Sequence, residues 1–146
     1  VEGVAGNATD NDILAILAKY GIYPGKVQLW GTGKPLREFL WSEEMADASV
    51  YIMEHIDFQD VRPEGNEVRN THINIGTGKE LSIKEVATLI QEKIGFDGEL
   101  AFDASKPDGT LRKLTDVSKL HALGWHHKIE IAEGVELLYN WYLDKQ

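Results

Sequence analysis

The 146-residue sequence contains no cysteine, which excludes disulfides, thiolate catalysis and cysteine-based metal sites within it. Its hydrophobic runs are short, and none approaches the roughly 20 residues that a membrane-spanning helix needs. The first residues, 1–5, have neither the basic region nor the apolar stretch of a secretory signal. Neither a membrane span nor a secretory signal is therefore visible within the sequence.

Positive charge is also scarce, since 15 Lys and Arg face 24 Asp and Glu and leave a net charge of −9. This balance argues against a general nucleic-acid binder, which needs a broad basic surface. A small anionic ligand stays possible if the few cations gather in one place. The hydrophobic content of 42% and the charged content of 27% are typical of a folded globular protein, and the length fits one domain.

Hydrophobic periodicity predicts alternating helices and strands, which is the pattern of an α/β fold. Ser42 is predicted to cap a well-buried second helix, and Ser82 with Glu85 forms a capping box for the third. Helices are predicted after Thr9 or Asp10 as far as Gly21, and over about 43–55, 83–94, 117–122 and 131–143. Strands are predicted at 27–30, 37–41, 71–75 and 99–103, and loops at 57–70 and 105–113.

Two glycine turns resemble parts of nucleotide-binding loops but are incomplete. Gly76-Thr-Gly78 stands between a predicted strand and a predicted helix, yet Leu81 occupies the position of the third glycine. Gly31-Thr-Gly33 fails in the same way at Leu36. In both turns the lysine that follows precedes neither Ser nor Thr, so the magnesium-binding hydroxyl of a phosphate loop is missing. We predict no complete nucleotide-binding glycine loop.

Catalytic constellations are absent as well. No tyrosine is followed four residues later by the lysine that would lower its pKa for proton transfer. His126 and His127 are adjacent, so their side chains diverge, and we interpret them as surface histidines rather than a chelating pair. Asp57 and Asp60 are interpreted as solvated charges because no set of oxygen ligands surrounds them.

Five of the 15 basic residues fall in two loops, Trp30–Arg37 and Lys106–Lys113. If the fold brings these loops side by side, their cations could grip a diphosphate, for which the planar fork of arginine is well suited. Asp108 could accept a hydrogen bond from a sugar hydroxyl or a base, and Trp30 offers a flat face to a ring. The alternative is that both are ordinary solvated loops whose lysines balance local acids.

Several characteristic strings follow one another along residues 27–146 and cover that range nearly end to end. They are Leu29-Trp-Gly-Thr-Gly-Lys-Pro-Leu-Arg-Glu-Phe-Leu40, Met45-Ala-Asp-Ala48, His72-Ile-Asn-Ile-Gly-Thr-Gly78, Phe102-Asp-Ala-Ser-Lys-Pro-Asp-Gly-Thr110, Arg112-Lys-Leu114 and Leu123-Gly-Trp125. Taken together and in this order, the strings resemble the GDP-L-fucose synthases, members of the extended short-chain dehydrogenase/reductase superfamily. These enzymes are the 3,5-epimerase/4-reductases of GDP-4-keto-6-deoxy-D-mannose.

The resemblance implies that residues 1–146 are a carboxyl-terminal, substrate-binding portion with a small mixed α/β fold. Residues 1–26 form a helical segment of least certain match, and residues 27–146 carry the family match. The Rossmann domain that binds NADP, with the Ser/Tyr/Lys catalytic set, would lie upstream, so this portion alone is expected to be inactive. In the parent reaction two ring carbons beside a keto group are epimerised, and NADPH then reduces that keto group.

The same resemblance implies four substrate-binding residues. Trp30 lies along the GDP-sugar site, Arg37 reaches the diphosphate, and Asp108 and Lys113 approach the nucleotide from the second loop, with Arg112 as a further contact. No catalytic, cofactor-binding or metal-binding residue is assigned within the 146 residues. The expected partners are a GDP-sugar, the NADP-binding domain of the same protein and a second copy in a homo-oligomer, with no nucleic acid or membrane. The enzyme type implies a cytoplasmic location.

Two departures from the family pattern bear on subtype: Trp41 stands where many members have His, and Glu43-Glu44 where many have two Asp. Two alternative functions stay open. The chain could be a stand-alone nucleotide-sugar-binding module, or part of a UDP-sugar epimerase of the same superfamily.

In relatives of this superfamily, the helix corresponding to residues 42–55 packs against the cofactor domain. The isolated 146-residue chain should therefore expose apolar surface around Met45–Met53, and we expect it to self-associate or to be only marginally stable. Sedimentation velocity and a thermal melt measure both properties. A monodisperse monomer that melts cooperatively at high temperature would contradict the expectation.

Overall fold

The computed structural model describes residues 6–65 and 68–145, and in this part the chain forms six helices and five strands. The helices are α1 (Asp10–Lys19), α2 (Ser42–His55), α3 (Phe58–Val61), α4 (Ile83–Ile94), α5 (Ser118–Ala122) and α6 (Ile131–Leu143). The strands are β1 (Ile22–Tyr23), β2 (Lys26–Trp30), β3 (Leu36–Arg37), β4 (Leu81–Ser82) and β5 (Glu99–Asp103). This small mixed α/β architecture is the predicted fold class.

The chain divides into two compact units, each built from two separated segments. Unit 1 comprises Val1–Pro35 and Ser82–Leu111, and unit 2 comprises Leu36–Leu81 and Arg112–Gln146. The separation of residues 1–26 from residues 27–146 stays a prediction that rests on the resemblance alone.

Unit 1 contains a three-stranded sheet in the order β1-β2-β5. β1 and β2 form an antiparallel hairpin that pairs Tyr23 with Lys26, so only two residues make the turn. β2 and β5 are parallel, and Trp30 pairs with Asp103 at the end of both strands. Because parallel strands end at the same edge, the segments that follow β2 and β5 leave the sheet side by side. In open α/β sheets this carboxyl edge is where ligands bind.

Both described helices of unit 1 begin with capping boxes. Thr9 caps α1 and exchanges hydrogen bonds with Asp12, which decides between the two predicted caps. Ser82 and Glu85 cap α4 in the same reciprocal way. That helix ends at Gly95, which has a left-handed φ of 69°, as the sequence predicts. Both caps satisfy backbone N–H groups that a helix leaves unpaired at its first turn.

Unit 2 is organised around a small apolar core. Ala48 and Leu120 are fully buried and Trp125 is nearly so. The Trp125 indole N–H donates to Asp47 Oδ2 at 2.8 Å, and the Tyr51 hydroxyl donates to the Leu123 carbonyl at 2.9 Å. Each buried aromatic therefore keeps a partner for its polar atom, as burial requires. Partly buried residues complete this core: Leu40, Tyr51, Ile52, Ile73 and Ile75.

Several predicted elements differ from the structure. Residues 71–75 form no strand in either sheet of the described chain, although Ile73 and Ile75 pack against the core of unit 2. The reason is that an extended segment becomes a strand only when a neighbouring strand pairs with it. The strand predicted at 37–41 is reduced to β3, which pairs only with the two-residue β4. The loop predicted at 57–70 contains α3, where Asp57 N–H donates to Asp60 Oδ2 at 2.7 Å.

The start of α2 also differs from the prediction. Ser42 is the first helical residue, and Trp41 occupies the N-cap position without a side-chain hydrogen bond. The Trp41 carbonyl accepts from the N–H groups of Glu44 and Met45, so the helix begins one residue earlier than predicted. The Ser42 hydroxyl therefore makes no cap.

Burial of α2 is smaller than the sequence suggested. The helix buries Ala48 and Glu44, and the Glu44 carboxylate accepts a hydrogen bond from the Ile129 N–H at 3.1 Å. Met45 is 44% exposed and Met53 is 83% exposed. In α6 the side chains of Leu138, Trp141 and Tyr142 are likewise about half exposed. No described helix is both long and apolar enough to cross a membrane.

We expect Leu120→Ala to lower the free energy of unfolding by about 2–5 kcal/mol, because it opens a cavity beside Ala48 and Trp125. Urea denaturation followed by tryptophan fluorescence measures the change. Leu111→Ala is the matched control, since Leu111 is 64% exposed, and it should change stability by less than about 0.5 kcal/mol. Equal losses in the two variants would show that Leu120 does not anchor this core.

Candidate functional site

The carboxyl edge of the unit 1 sheet presents an exposed indole with a cation beside it. Trp30 ends β2 and is 72% exposed. The Lys106 ammonium lies 5.6 Å from the centroid of the Trp30 ring, within the range of a cation–π interaction. The Asp103 carbonyl accepts from the N–H groups of Gly31 and Lys106, at 2.9 and 3.1 Å. Both loops therefore start from one strand end, and the indole remains largely open to solvent.

Asp108 ties the second cationic loop to the first. Its Oδ1 accepts from the Thr32 N–H at 2.6 Å, and its Oδ2 accepts from the Thr32 hydroxyl at 2.7 Å. The Thr32 backbone and side-chain hydrogen bonds, together with the charge of Lys34, hold the pKa of Asp108 below its usual value. The sequence suggested a ligand hydroxyl or base as its partner. In the structure Thr32 is its partner, and any contact of Asp108 with a ligand stays a prediction.

Glycine at two positions of the first loop permits this arrangement. Gly31 has a φ of +82°, and a Cβ there would lie 2.4 Å from Asp108 Oδ1. Gly33 has a φ of +74°, and its Cβ would lie 2.5 Å from the Phe102 ring. A side chain at either position would be strained by the backbone and would collide with a neighbour. The turn thus uses its glycines to approach an internal carboxylate and the sheet.

In unit 2, Arg37 lines a cavity of about 180 Å³. Its Nη1 donates to the Leu36 carbonyl at 2.6 Å, and no ion pair with a carboxylate is recorded for it within residues 6–65 and 68–145. Glu80 lines the same cavity and is mostly buried, and its Oε1 lies 2.6 Å from Arg112 Nε. Arg112 therefore pairs with Glu80, which lines the same cavity as Arg37, and Lys113 follows on the exposed surface. Other residues that line the cavity are Phe39, Thr77, Lys79, Leu81, Glu130 and Ile131.

The other charged residues of this cavity neutralise one another. The Lys79 ammonium pairs with Glu130 Oε1, and His127 Nε2 lies 3.3 Å from the same oxygen. The hydrogen bond from Lys79, followed by the contact with His127, holds the pKa of Glu130 below its usual value. Since Lys79 and Arg112 each have a carboxylate partner, Arg37 is the cation best placed to receive an added anion in this cavity.

The four predicted site residues therefore fall in two groups. Trp30 and Asp108 belong to unit 1, where the structure joins the two loops at Thr32. Arg37 and Lys113 belong to unit 2, where Arg112 links the second loop to the wall of the Arg37 cavity. Each unit thus brings one end of the first loop together with one end of the second.

Glu38 is a residue that the sequence reasoning missed. Its Oε1 accepts from the N–H groups of Thr77 and Gly78, both at 2.6 Å, and its Oε2 accepts from the Thr115 N–H at 3.1 Å. Burial opposes ionisation of Glu38, but hydrogen bonds from Thr115, Gly78 and Thr77 outweigh it and lower the pKa. A Cβ on Gly76 would lie 2.5 Å from Oε1, so this glycine is needed for the approach. The glycines of this turn are the only sequence signal for a carboxylate at this place, because Glu38 lies 39 residues before Thr77 in the sequence.

In both glycine turns, a carboxylate of the protein itself accepts hydrogen bonds from the backbone N–H groups. A dinucleotide fingerprint offers free backbone N–H groups to a pyrophosphate. Here Thr77 and Gly78 donate to Glu38, and Thr32 donates to Asp108. These turns consequently do not fit the pyrophosphate of NADP. In the described part of the chain, no group of three or more acidic or histidine side chains is arranged to hold a metal ion.

The histidine interpretation needs one correction. His126 is exposed and stacks on His121 with ring centroids 4.2 Å apart, but the His127 side chain is only 9% exposed. Its Nε2 lies 3.3 Å from Oε1 of Glu130, an acid three residues away. Burial, followed by the charges of His126 and His127, lowers the pKa of His121.

Comparison with known proteins defines the class. The family model of the NAD dependent epimerase/dehydratase family matches residues 3–76, which is just over half of the chain. The chain belongs to this family. Its parallel strand pair, with the loops that follow at the carboxyl edge, agrees with that class.

Particular relatives narrow the comparison. The chain is 46% identical over 120 residues to a GDP-L-fucose synthase of Escherichia coli K12, covering 82% of this chain and 37% of the relative. It is 47% identical over 118 residues to GDP-L-fucose synthase 1 of Arabidopsis thaliana, covering 81% of this chain and 33% of the relative. The chain thus spans about a third of the length of these curated relatives, and the predicted resemblance to GDP-L-fucose synthases is confirmed.

A solved structure agrees in fold. A GDP-6-OMe-4-keto-L-xylo-heptose reductase from C. jejuni superposes with a TM-score of 0.90 and 45% sequence identity. The match covers 95% of this chain and 40% of the reductase.

The tie between Asp108 and Thr32 is testable by titration. We expect Thr32→Val to raise the pKa of Asp108 toward its usual value, because the variant removes the hydroxyl donor but keeps the backbone N–H. The carboxyl ¹³C shift of Asp108, followed by NMR against pH, measures the pKa. Thr88→Val, a change of the same kind within α4, should leave that pKa where it is. An unchanged pKa in Thr32→Val would mean that the hydroxyl contact is not made in solution.

Proposed function

We propose that this chain is the GDP-sugar-binding part of an NADPH-dependent 3,5-epimerase/4-reductase that converts GDP-4-keto-6-deoxy-D-mannose to GDP-L-fucose. The observation that carries the proposal is the Arg37 cavity, where an arginine without a carboxylate partner in the described chain lies beside the Glu80–Arg112 pair. The names of the curated relatives supply the product, GDP-L-fucose, and the resemblance of the sequence motifs to those enzymes supplies the reaction.

In this proposal the pyrophosphate of the nucleotide sugar is held by Arg37 and Lys113, with Arg112 beside them. Guanidinium groups donate two parallel hydrogen bonds to phosphate oxygens, which fixes the orientation as well as the charge. Trp30 lies along the nucleotide sugar, where an exposed indole can stack on a ring. Asp108 acts chiefly by holding the second loop to Thr32.

We assign cofactor binding and proton transfer to parts of the enzyme other than these 146 residues. When NADPH is bound there, it supplies the hydride that reduces the keto group. The residues described here bind and orient the sugar nucleotide, so the 146-residue chain alone should be inactive. We further propose that the whole enzyme is cytoplasmic and forms a homo-oligomer, as the enzyme type implies.

A second candidate is reduction of a different GDP-linked 4-keto sugar. It is favoured by the TM-score of 0.90 with the heptose reductase, whose name gives a 4-keto heptose carried on GDP as its substrate. Both candidates require the same nucleotide and pyrophosphate contacts. The two candidates differ in the sugar, a hexose or a heptose, that must fit beyond the pyrophosphate contacts.

Titration of the 146-residue chain with GDP, UDP and NADPH by calorimetry tests the proposal. We expect GDP to bind in preference to the other two. Arg37→Ala should weaken GDP binding by about 1.5–3 kcal/mol, because a charge-assisted contact with phosphate is lost. Arg62→Ala is the matched control, since Arg62 is exposed and follows α3, and it should bind GDP like the unaltered chain.

The other results separate the alternatives. A preference for UDP would support a UDP-sugar epimerase instead, and the absence of any nucleotide binding would contradict the proposed function. Unchanged affinity in Arg37→Ala would remove Arg37 from the site. Once GDP binding is established, competition by GDP-linked hexose against GDP-linked heptose distinguishes the two GDP-sugar candidates.

A further inference from the structure

The Glu38 carboxylate joins three separated segments of unit 2. One is its own segment directly after β3, the second is the glycine turn at Thr77 and Gly78, and the third is the loop at Thr115. Its two oxygens are divided between the segments, because Oε1 takes both turn amides and Oε2 takes the Thr115 amide. The carboxylate therefore fixes the spacing of all three.

Two of these segments carry the cations of the proposed nucleotide site. Arg37 immediately precedes Glu38, and Arg112 and Lys113 precede Thr115 by three and two residues. The hydrogen bond from Thr115 to Glu38 thus connects the two segments that carry these cations. Any movement of the loop away from Glu38 would carry Lys113 away from Arg37.

An ionised carboxylate is specifically suited to this role. It offers only acceptors, and all of the recorded contacts of Glu38 come from donors on the protein. An amide in its place would turn an NH₂ group toward at least one backbone N–H, so one of the three segments would be released. The lowered pKa of Glu38 agrees with a charge that persists at neutral pH.

We propose that Glu38 is a positioning residue of the nucleotide site, which sets the distance between Arg37 and the Arg112–Lys113 pair. The inference rests on the proposed function, in which these cations hold a pyrophosphate. Glu38 itself touches no ligand in this proposal. It acts through the loop that begins at Arg112 and ends at Thr115.

A double-mutant cycle in the 146-residue chain tests this role. We expect Glu38→Gln to weaken GDP binding about tenfold, in the middle of the range for residues coupled through one network. In a Lys113→Ala background the same change should weaken binding by less than about threefold, because the cation that it positions is gone. Glu54→Gln removes the same charge from an exposed position of α2 and should leave GDP affinity unchanged.

The outcomes are distinct. If Glu38→Gln binds GDP as tightly as Glu54→Gln, or if it loses the same factor in both backgrounds, the positioning role is overturned while the proposed function stands. If the unaltered chain does not bind GDP, the proposed function fails and this inference falls with it. Should Glu38→Gln not fold, Gly76→Ala displaces the same carboxylate more gently, and the same non-additive loss with Lys113→Ala is expected.

Discussion

Hydrogen bonds from backbone N–H groups to two internal carboxylates organise both halves of this molecule. Asp108 accepts from Thr32 in unit 1, and Glu38 accepts from Thr77, Gly78 and Thr115 in unit 2. In each case a loop distant in sequence is tied to a glycine turn. Loops of this kind have no regular backbone pairing of their own, so a charged acceptor that collects several N–H groups is an efficient way to order them.

This arrangement determines the role of the two glycine turns in the fold. A turn with left-handed glycines and convergent N–H groups is an anion site, and a phosphate is one of the anions that can fill it. Here the anion belongs to the protein. The turns are therefore structural, and the cations placed by the surrounding segments remain for a ligand. Arg37 is the best example, because its guanidinium donates to the Leu36 carbonyl rather than to a carboxylate.

Much of the fold could be predicted because its signals are local. The capping boxes at Thr9 and Ser82, the stop at Gly95 and the helix from Ile131 to Leu143 each depend on residues within a few positions. The strand at 71–75 could not be judged in this way, since strand formation depends on a distant partner. Ser42 failed as a cap for a different reason, because the carbonyl of Trp41, one residue earlier, already accepts the first hydrogen bonds of the helix.

The sequence by itself determined which residues carry the charge and the aromatic surface, and its motifs showed a resemblance to the GDP-L-fucose synthases. It also showed that the glycine turns lack the complete nucleotide fingerprint. Only the tertiary structure decided what those turns hold, and that Arg112 pairs with Glu80 in the wall of the Arg37 cavity. The physical reason is that a hydrogen bond between segments some 40 to 80 residues apart leaves no periodic trace in either segment. Such contacts become visible only when the chain has folded and brought donor and acceptor within 3 Å or so.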